Sequence, residues 1–263
     1  MVTQNLPRII LIGAGKLAWH LGPAIIDGGY PIVQVYSRSE GSARELGDKM
    51  GVAWTTDAGA LDQEADMLLF CIPDRAIKEF PCFIELKKKV MMVHTSGSVP
   101  LDIFSGIARK YGVLYPLMTF TKERILDPGN IPFCIEGSDI ESLNILENMA
   151  GSISKQVYKF NSEERKKLHL AGIIANNFSN HMYQLAEEVL SRSGMDFNLL
   201  KPLILETAAK VMEINPAMAQ TGPASRNDEQ VVQEHADLLK EHPELQKLYT
   251  FVSGSITNHF KAT

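Results

Sequence analysis

Along the first 160 residues, short runs of Val, Ile, Leu and Met alternate with stretches in which apolar residues recur every three or four positions. Uninterrupted apolar runs suit strands buried on both faces, and the longer period suits helices packed over them. The pattern predicts strands at Arg8–Ile12, Ile32–Tyr36, Met67–Ile72, Val90–His94, Gly112–Leu114 and Phe133–Glu136, with shorter ones at Gly51–Trp54 and Gln156–Phe160. Beyond residue 160 the strand-like runs stop. Helices are predicted over Ser162–Ser193, Leu199–Ile214, Asp228–Lys240 and about Glu244–Phe260. The chain therefore divides into an α/β part, residues 1–160, built on a doubly wound and mostly parallel sheet, and an all-helical part, residues 161–263. Neither an internal repeat nor a low-complexity segment interrupts it.

The first strand runs into Gly13-Ala14-Gly15-Lys16-Leu17-Ala18, and Leu17, Leu21 and Ile25 then follow at helical spacing. In such a turn the first glycine permits the tight bend and the second lets the backbone approach a pyrophosphate. A small third residue, here Ala18, lets helix and strand pack closely. The diphosphate would rest on the unpaired N–H groups and positive dipole end of the helix. Alone, Gly-x-Gly-x-x-Ala is a weak signal; placed between a strand and a helix at residue 13, it predicts a Rossmann dinucleotide site that includes Gly13, Ala14, Gly15, Lys16 and Leu17. Pro23 is expected to kink the helix or delay its regular part.

The second strand ends in Tyr36-Ser37-Arg38-Ser39, where an NAD site would carry an acid for the ribose hydroxyl. A guanidinium between two hydroxyls instead suits a 2′-phosphate, through charge-assisted hydrogen bonds worth roughly 1.5–3 kcal/mol. NADP is thus the expected cofactor, held by Ser37, Arg38 and Ser39; the competing reading makes Arg38 a solvated residue ahead of the next helix. Ligands bind outside the carboxyl ends of parallel strands. Ile72-Pro73 and His94-Thr95-Ser96-Gly97-Ser98 are accordingly expected near the nicotinamide. His94 is a candidate general acid and cofactor neighbour, Ser96 a candidate substrate contact. The alternative is a histidine satisfied by neighbouring backbone in a simple turn.

Composition narrows the class further. The net charge is −5, and Lys87-Lys88-Lys89 is the longest basic cluster, so a nucleic-acid partner is not expected. No apolar run reaches the roughly 18 residues of a membrane span, and the N-terminal run is cut by Gly13 and Gly15, so no membrane association and a cytoplasmic location are expected. Cys71, Cys82 and Cys134 lack metal-ligand spacing and read as buried thiols; no metal is expected.

In the helical part, His169, Ile173, Asn176, Asn177, Asn180 and Gln184 share one helix face, while Leu170, Ile174, Phe178, Met182 and Leu185 form an apolar stripe expected to face the core. Asparagine is a mediocre helix former, so its repetition points to tertiary contacts. Either His169 and Asn177 line the cleft, binding substrate or relaying a proton, or the face is an interface with paired amides. Arg226, in Thr221–Asp228, is suited to an acidic group on a substrate or to a salt bridge with a neighbouring helix. Asp228 or Asn227 is placed to cap the next helix.

These motifs, together with Tyr115-Pro116-Leu117-Met118-Thr119-Phe120, His169-Leu170-Ala171, Asn176-Asn177-Phe178 and Thr221-Gly222-Pro223-Ala224-Ser225-Arg226-Asn227-Asp228, occur in order along the chain. In that arrangement it resembles a bacterial family of NADP-dependent oxidoreductases that join a Rossmann domain to a helical domain of unknown function. The N-terminal part is also similar to deazaflavin-dependent NADP reductases and to pyrroline-5-carboxylate reductase. In the latter a comparable loop between C-terminal helices helps form the site, which directs attention to Arg226. The resemblance implies the fold and the cofactor class and leaves the substrate open. One departure matters: distantly related 3-hydroxyacid dehydrogenases carry a catalytic lysine one turn before a paired asparagine, and that position here is Ile173. Lys166 and Lys167 lie too early to replace it. Two readings follow: a reductase or dehydrogenase acting on a small carbonyl, hydroxy or imine compound with His94 or His169 as acid, or a noncatalytic NADP(H)-binding sensor or assembly protein. The several apolar helix faces also predict a homodimer.

Overall fold

The computed structural model describes residues 6–80, 84 and 90–261. Cys82 and Lys87-Lys88-Lys89 lie outside the described residues. Eight strands, β1 (Ile9–Ile12), β2 (Ile32–Tyr36), β3 (Ala53–Thr55), β4 (Met67–Phe70), β5 (Met91–His94), β6 (Tyr111–Pro116), β7 (Phe133–Gly137) and β8 (Val157–Lys159), form one sheet. Their order is β3-β2-β1-β4-β5-β6-β7-β8. β1 to β6 are parallel, β6 and β7 pair antiparallel, and β8 runs with β7. Strand order reverses direction between β1 and β4, which puts the ligand crevice of such a sheet at their carboxyl ends.

β1 is buried at all four positions because both sheet faces are covered. Successive side chains point to opposite faces. Ile9 and Leu11 join a core with Leu21 and Ile25 of α1 (Lys16–Asp27), Leu46 of α2 (Glu40–Met50) and Met149 of α4 (Ile140–Ile153). Ile10 and Ile12 join a second core with Ile77 of α3 (Asp74–Ile77), Phe80 and Phe104. Pro23 lies inside α1, whose regular part already begins at Lys16 and continues to Asp27, so the helix is not delayed until after the proline.

The predicted helix over Ser162–Ser193 is three segments: α5 (Ser162–Gly172), a π-helical stretch (Ile173–Phe178) and α6 (Ser179–Arg192). Asn161 and Glu164 close a capping box at the start of α5. The chain separates into two compact units, residues 1–177 and 178–263, with the division inside the π-helical stretch. α5 thus belongs with the sheet.

The second unit comprises α6, α7 (Lys201–Glu213), α8 (Pro216–Ala219), α9 (Glu229–Leu238) and α10 (Pro243–Lys261). Among its described residues only Ala224, Ala236 and Ser253 are buried. The stripe expected to face a core stays open instead: Leu170, Ile174, Phe178 and Met182 are 58, 53, 55 and 38% exposed. The wider π turn shifts the angular positions that a 3.6-residue period assigns, and within its own unit each of these side chains keeps a third or more of its surface open among the described residues. α7 packs mainly on the turn Phe197–Leu200 before it and on α8 after it.

Candidate functional site

The glycine turn divides its duties as its two glycines differ. Gly13 has φ +109°, and a Cβ there would stand 2.5 Å from the Cys71 carbonyl oxygen, so both backbone conformation and packing exclude a side chain. Its N–H donates to the Tyr36 carbonyl at 2.7 Å, tying the turn to β2. Gly15 has an ordinary φ of −82° and meets nothing within 4 Å of its Cβ position. It precedes α1, whose first turn carries no acid and no side-chain cap. The start of α1 is thus uncapped by any side chain, beside open space at the Gly15 backbone. Ala14 is buried, Lys16 exposed, and Leu17 packs on the first core.

β2 delivers Ser37, Arg38 and Ser39 to the same edge of the sheet. Ser39 caps α2 by accepting from the Ser42 amide, and the Ser39 amide donates to Ser37 Oγ at 3.3 Å. Arg38 is exposed and has no hydrogen-bond or ion-pair partner among the described residues. At the end of β4, Ile72 lies beside Gly13, and Pro73 precedes α3.

β5 ends in His94, which is fully buried against Phe104 at a ring-centroid distance of 5.9 Å. Its Nδ1 accepts from the Ser96 amide at 3.2 Å, and its buried Nε2 has no well-formed hydrogen bond. Burial, reinforced by the charge of Arg165 and partly offset by the Pro100 carbonyl, lowers its pKa to about 3. The ring is neutral at physiological pH. The Ser96 hydroxyl accepts from the amides of Ser98 and Val99, both at 3.0 Å, and Thr95 Oγ1 donates to the Phe70 carbonyl at 2.9 Å. The hydroxyls of this segment are engaged in shaping the turn.

That turn presents Gly97 to His169 of α5: a Cβ on Gly97 would lie 2.6 Å from His169 Nδ1. The same Nδ1 is 2.9 Å from the Tyr115 hydroxyl, with the two rings edge-on at 5.7 Å. Burial pushes the Tyr115 phenol up to about 12, with smaller influences from Cys134, Arg165 and Asp74. The phenol therefore keeps its hydrogen and can donate it to Nδ1 of a neutral imidazole. His169 itself is half-buried.

Asn176 and Asn177 lie in the π-helical stretch, exposed, with Asn176 Nδ2 donating to Asn177 Oδ1 at 3.3 Å. In the helical unit Arg226 is exposed and without an ion pair among the described residues. Asp228 caps α9 through the Val231 amide, while Asn227 takes a left-handed φ of 54°. Cys71 and Cys134 are buried free thiols, their pKa values raised by burial to about 12 and about 11. No group of metal-ligating residues occurs among the described residues, nor any helix long and apolar enough to cross a membrane.

The sequence reading passed over Tyr115, Gly97 and Arg165. Tyr115 lay in a motif without an assigned task. Arg165 could have been noticed because it stands four residues before His169, on the same helix face.

A doubly wound sheet with a glycine turn at its switch point and a hydrogen-bonded Tyr115–His169 pair near its carboxyl edge is an architecture shared with nicotinamide-dependent oxidoreductases. A family model described as NADP oxidoreductase coenzyme F420-dependent matches residues 8–96, and one described as a domain of unknown function (DUF2520) matches residues 131–256. BF3122 of Bacteroides fragilis, a candidate NADP oxidoreductase of known crystal structure, is 44% identical with a TM-score of 0.91, over 96% of this chain and 98% of that one. Protein TM1727 of Thermotoga maritima is 26% identical with a TM-score of 0.76, over 93% of this chain and 99% of the other. The 1-pyrroline-5-carboxylate reductase of Streptococcus pyogenes shares the fold, at 10% identity and a TM-score of 0.60, over 97 and 100% of the two chains. Compared with curated proteins, the chain finds no match. The chain belongs to the NADP oxidoreductase family that joins a Rossmann domain to the DUF2520 helical domain. That membership does not favour the noncatalytic alternative.

Proposed function

We propose that this protein is an NADPH-dependent reductase of a small carbonyl or imine compound in which His169 supplies the proton. The observation that carries the reading is the Tyr115–His169 pair, seated on Gly97 at the carboxyl ends of β5 and β6.

The residues present fit the dinucleotide. The open space at Gly15 and the uncapped start of α1 would receive a diphosphate, and Arg38, without a hydrogen-bond or ion-pair partner among the described residues and flanked by two hydroxyls, would bind the 2′-phosphate. Ile72 and Pro73 line the approach to the reacting ring. When bound, the cofactor supplies a hydride. The chain supplies position and a proton. Tyr115, kept protonated by burial, donates to His169 Nδ1, which fixes the hydrogen of the neutral ring on Nε2. His169 then passes its Nε2 hydrogen to the substrate heteroatom as negative charge develops while the Tyr115 hydroxyl hands its own to Nδ1, so the ring stays neutral and the phenolate recovers a proton from solvent. Such general acid catalysis is worth typically 10²–10⁴-fold. His94, neutral and sealed against Phe104, shapes the β5 turn in this reading. Asn177 and Arg226 remain candidates for holding the substrate.

A second copy of the chain completes the helical unit. α7 carries a broad apolar arc, Ile204, Leu205, Ala208, Val211 and Met212, opposite Glu206, Lys210 and Glu213, and an arc of that width is normally packed against a neighbour. Leu203, Leu205 and Met212 are instead 62, 71 and 85% exposed, as is Phe251 of α10 at 76%. Burying each contributes roughly 1.5–3 kcal/mol. The uncovered helix and the uncovered faces belong to one chain, so a homodimer offers each a partner.

NADPH oxidation assayed with 2-oxo acids, aldehydes and cyclic imines tests the reading. Wild-type turnover on one class, lost about 10²-fold or more in His169→Gln with NADPH affinity intact, supports it; tight NADPH binding with no turnover on any class rejects it.

A further inference from the structure

Arg165 is the largest of the fully buried side chains among the described residues. It sits in the first half of α5, with its guanidinium spread over three partners. Nη1 pairs with Glu136 of β7, and Nη2 donates to the Val99 carbonyl and, at 3.4 Å, to Ser162 Oγ. Ser162 donates from both its amide and its hydroxyl to the Glu136 carboxylate at 2.9 Å, and its Oγ accepts from the Leu101 amide at 2.9 Å. One buried network thus fastens three elements: strand β7, the start of α5, and the segment that continues from the Gly97 turn.

Two of these elements carry the functional geometry. Val99 follows Gly97 by two residues, and His169 follows Arg165 by four, one helical turn along the same face. We infer that Arg165 is a positioning residue that holds α5 against the Val99 segment and β7, so that His169 meets Gly97 and the Tyr115 hydroxyl. The inference rests on the proposed role of His169, but it concerns the placement of that ring and can be read without turnover. Burial of an arginine is costly unless its donors are used. Here Nε has no hydrogen-bond partner among the described residues, and the two Nη groups carry the contacts to Glu136, Val99 and Ser162. A lysine, with a single ammonium, cannot reproduce that span.

The test separates placement from stability. Long-range ¹⁵N–¹H spectra of the histidine rings, with His169→Gln for assignment, report which His169 nitrogen carries the hydrogen. Wild type should show Nε2–H with Nδ1 as acceptor. Arg165→Lys and Arg165→Met should lower the thermal midpoint, on the order of 10 °C for the latter, and leave His169 averaged between tautomers. The double variant Glu136→Leu/Arg165→Leu removes both buried charges and should recover most of the midpoint while His169 stays averaged. NADPH affinity should remain within about twofold in all of them. An unchanged His169 signature in the single variants, or its return in the double variant together with stability, overturns the inference. Failure of the proton-donor reading is a different result: full NADPH oxidation in His169→Gln with the ring signatures behaving as stated.

Discussion

His169 lies so close to Gly97 that a methyl group on that glycine would stand 2.6 Å from its Nδ1. The contact is with a ring carried by a helix and a turn fixed by three hydroxyl and amide bonds, so neither side yields easily. Gly97→Ala should displace His169 from Tyr115 and reduce turnover about 10²-fold while NADPH affinity changes little, since a misplacement of an ångström suffices for such a loss. Parallel measurement of kcat and of NADPH affinity by fluorescence checks this; loss of both together would mean that the turn serves the cofactor.

The two glycines of the phosphate turn predict opposite phenotypes. Gly13→Ala combines a positive φ with a backbone clash, and should destabilise the fold by about 2–4 kcal/mol. Gly15→Ala meets open space and an ordinary φ, and should leave the thermal midpoint within a degree or two while weakening NADPH binding about tenfold or more. Calorimetry beside titration distinguishes them.

Arg38→Asp places a carboxylate where the 2′-phosphate is proposed to bind. NADPH affinity should fall about 10²-fold and NADH affinity rise or hold. Equal affinities for the two dinucleotides before and after would remove Arg38 from the cofactor site.

His94 makes stability depend on pH with a definite sign. Its folded pKa, about 3, lies below the unfolded value of 6.5, so between these limits the unfolded chain binds the extra proton. Stability from this group is complete above pH 6.5 and is lost as pH falls toward 3. At pH 5 the loss is about 2 kcal/mol. Urea unfolding of wild type and His94→Leu at pH 7.5 and 5 should therefore show the variant losing about that much less on acidification. Parallel losses would place His94 in a wetter setting.

Leu205→Lys or Met212→Lys on α7 should produce monomers at micromolar concentration, checked by sedimentation. A wild type that sediments as a monomer would leave the helix without its proposed cover.

Much of the sheet was legible in the sequence because buried parallel strands are written as unbroken apolar runs and because Gly13 to Ala18 follow one of them directly. All eight predicted strands occur, Ile32–Tyr36 with the predicted ends and the other seven displaced by a residue or two at one end or both. The β7 reversal was not legible, since strand direction depends on connections and not on apolar pattern. Nor was the Tyr115–His169 pair, whose members are 54 residues apart and meet only through the climb of α5. The apolar stripe from Leu170 to Leu185 was mistaken for a core face because periodicity records that a surface wants cover, not which chain provides it.

The reversal of β7 and β8 has a geometric outcome of its own. Glu136 is level with Val113 on β6, two residues below Tyr115, a drop of about 7 Å. β8 runs away from the carboxyl edge and ends at Lys159, level with Leu114 through Ile135, and α5 then rises about 10 Å from Ser162 to His169. Helix and strand therefore act as a pair of matched rulers with a common zero at the Glu136 carboxylate. Adding a single residue between Arg165 and His169 would leave that zero in place and swing the imidazole by about 100° around the helix, out of reach of its phenol.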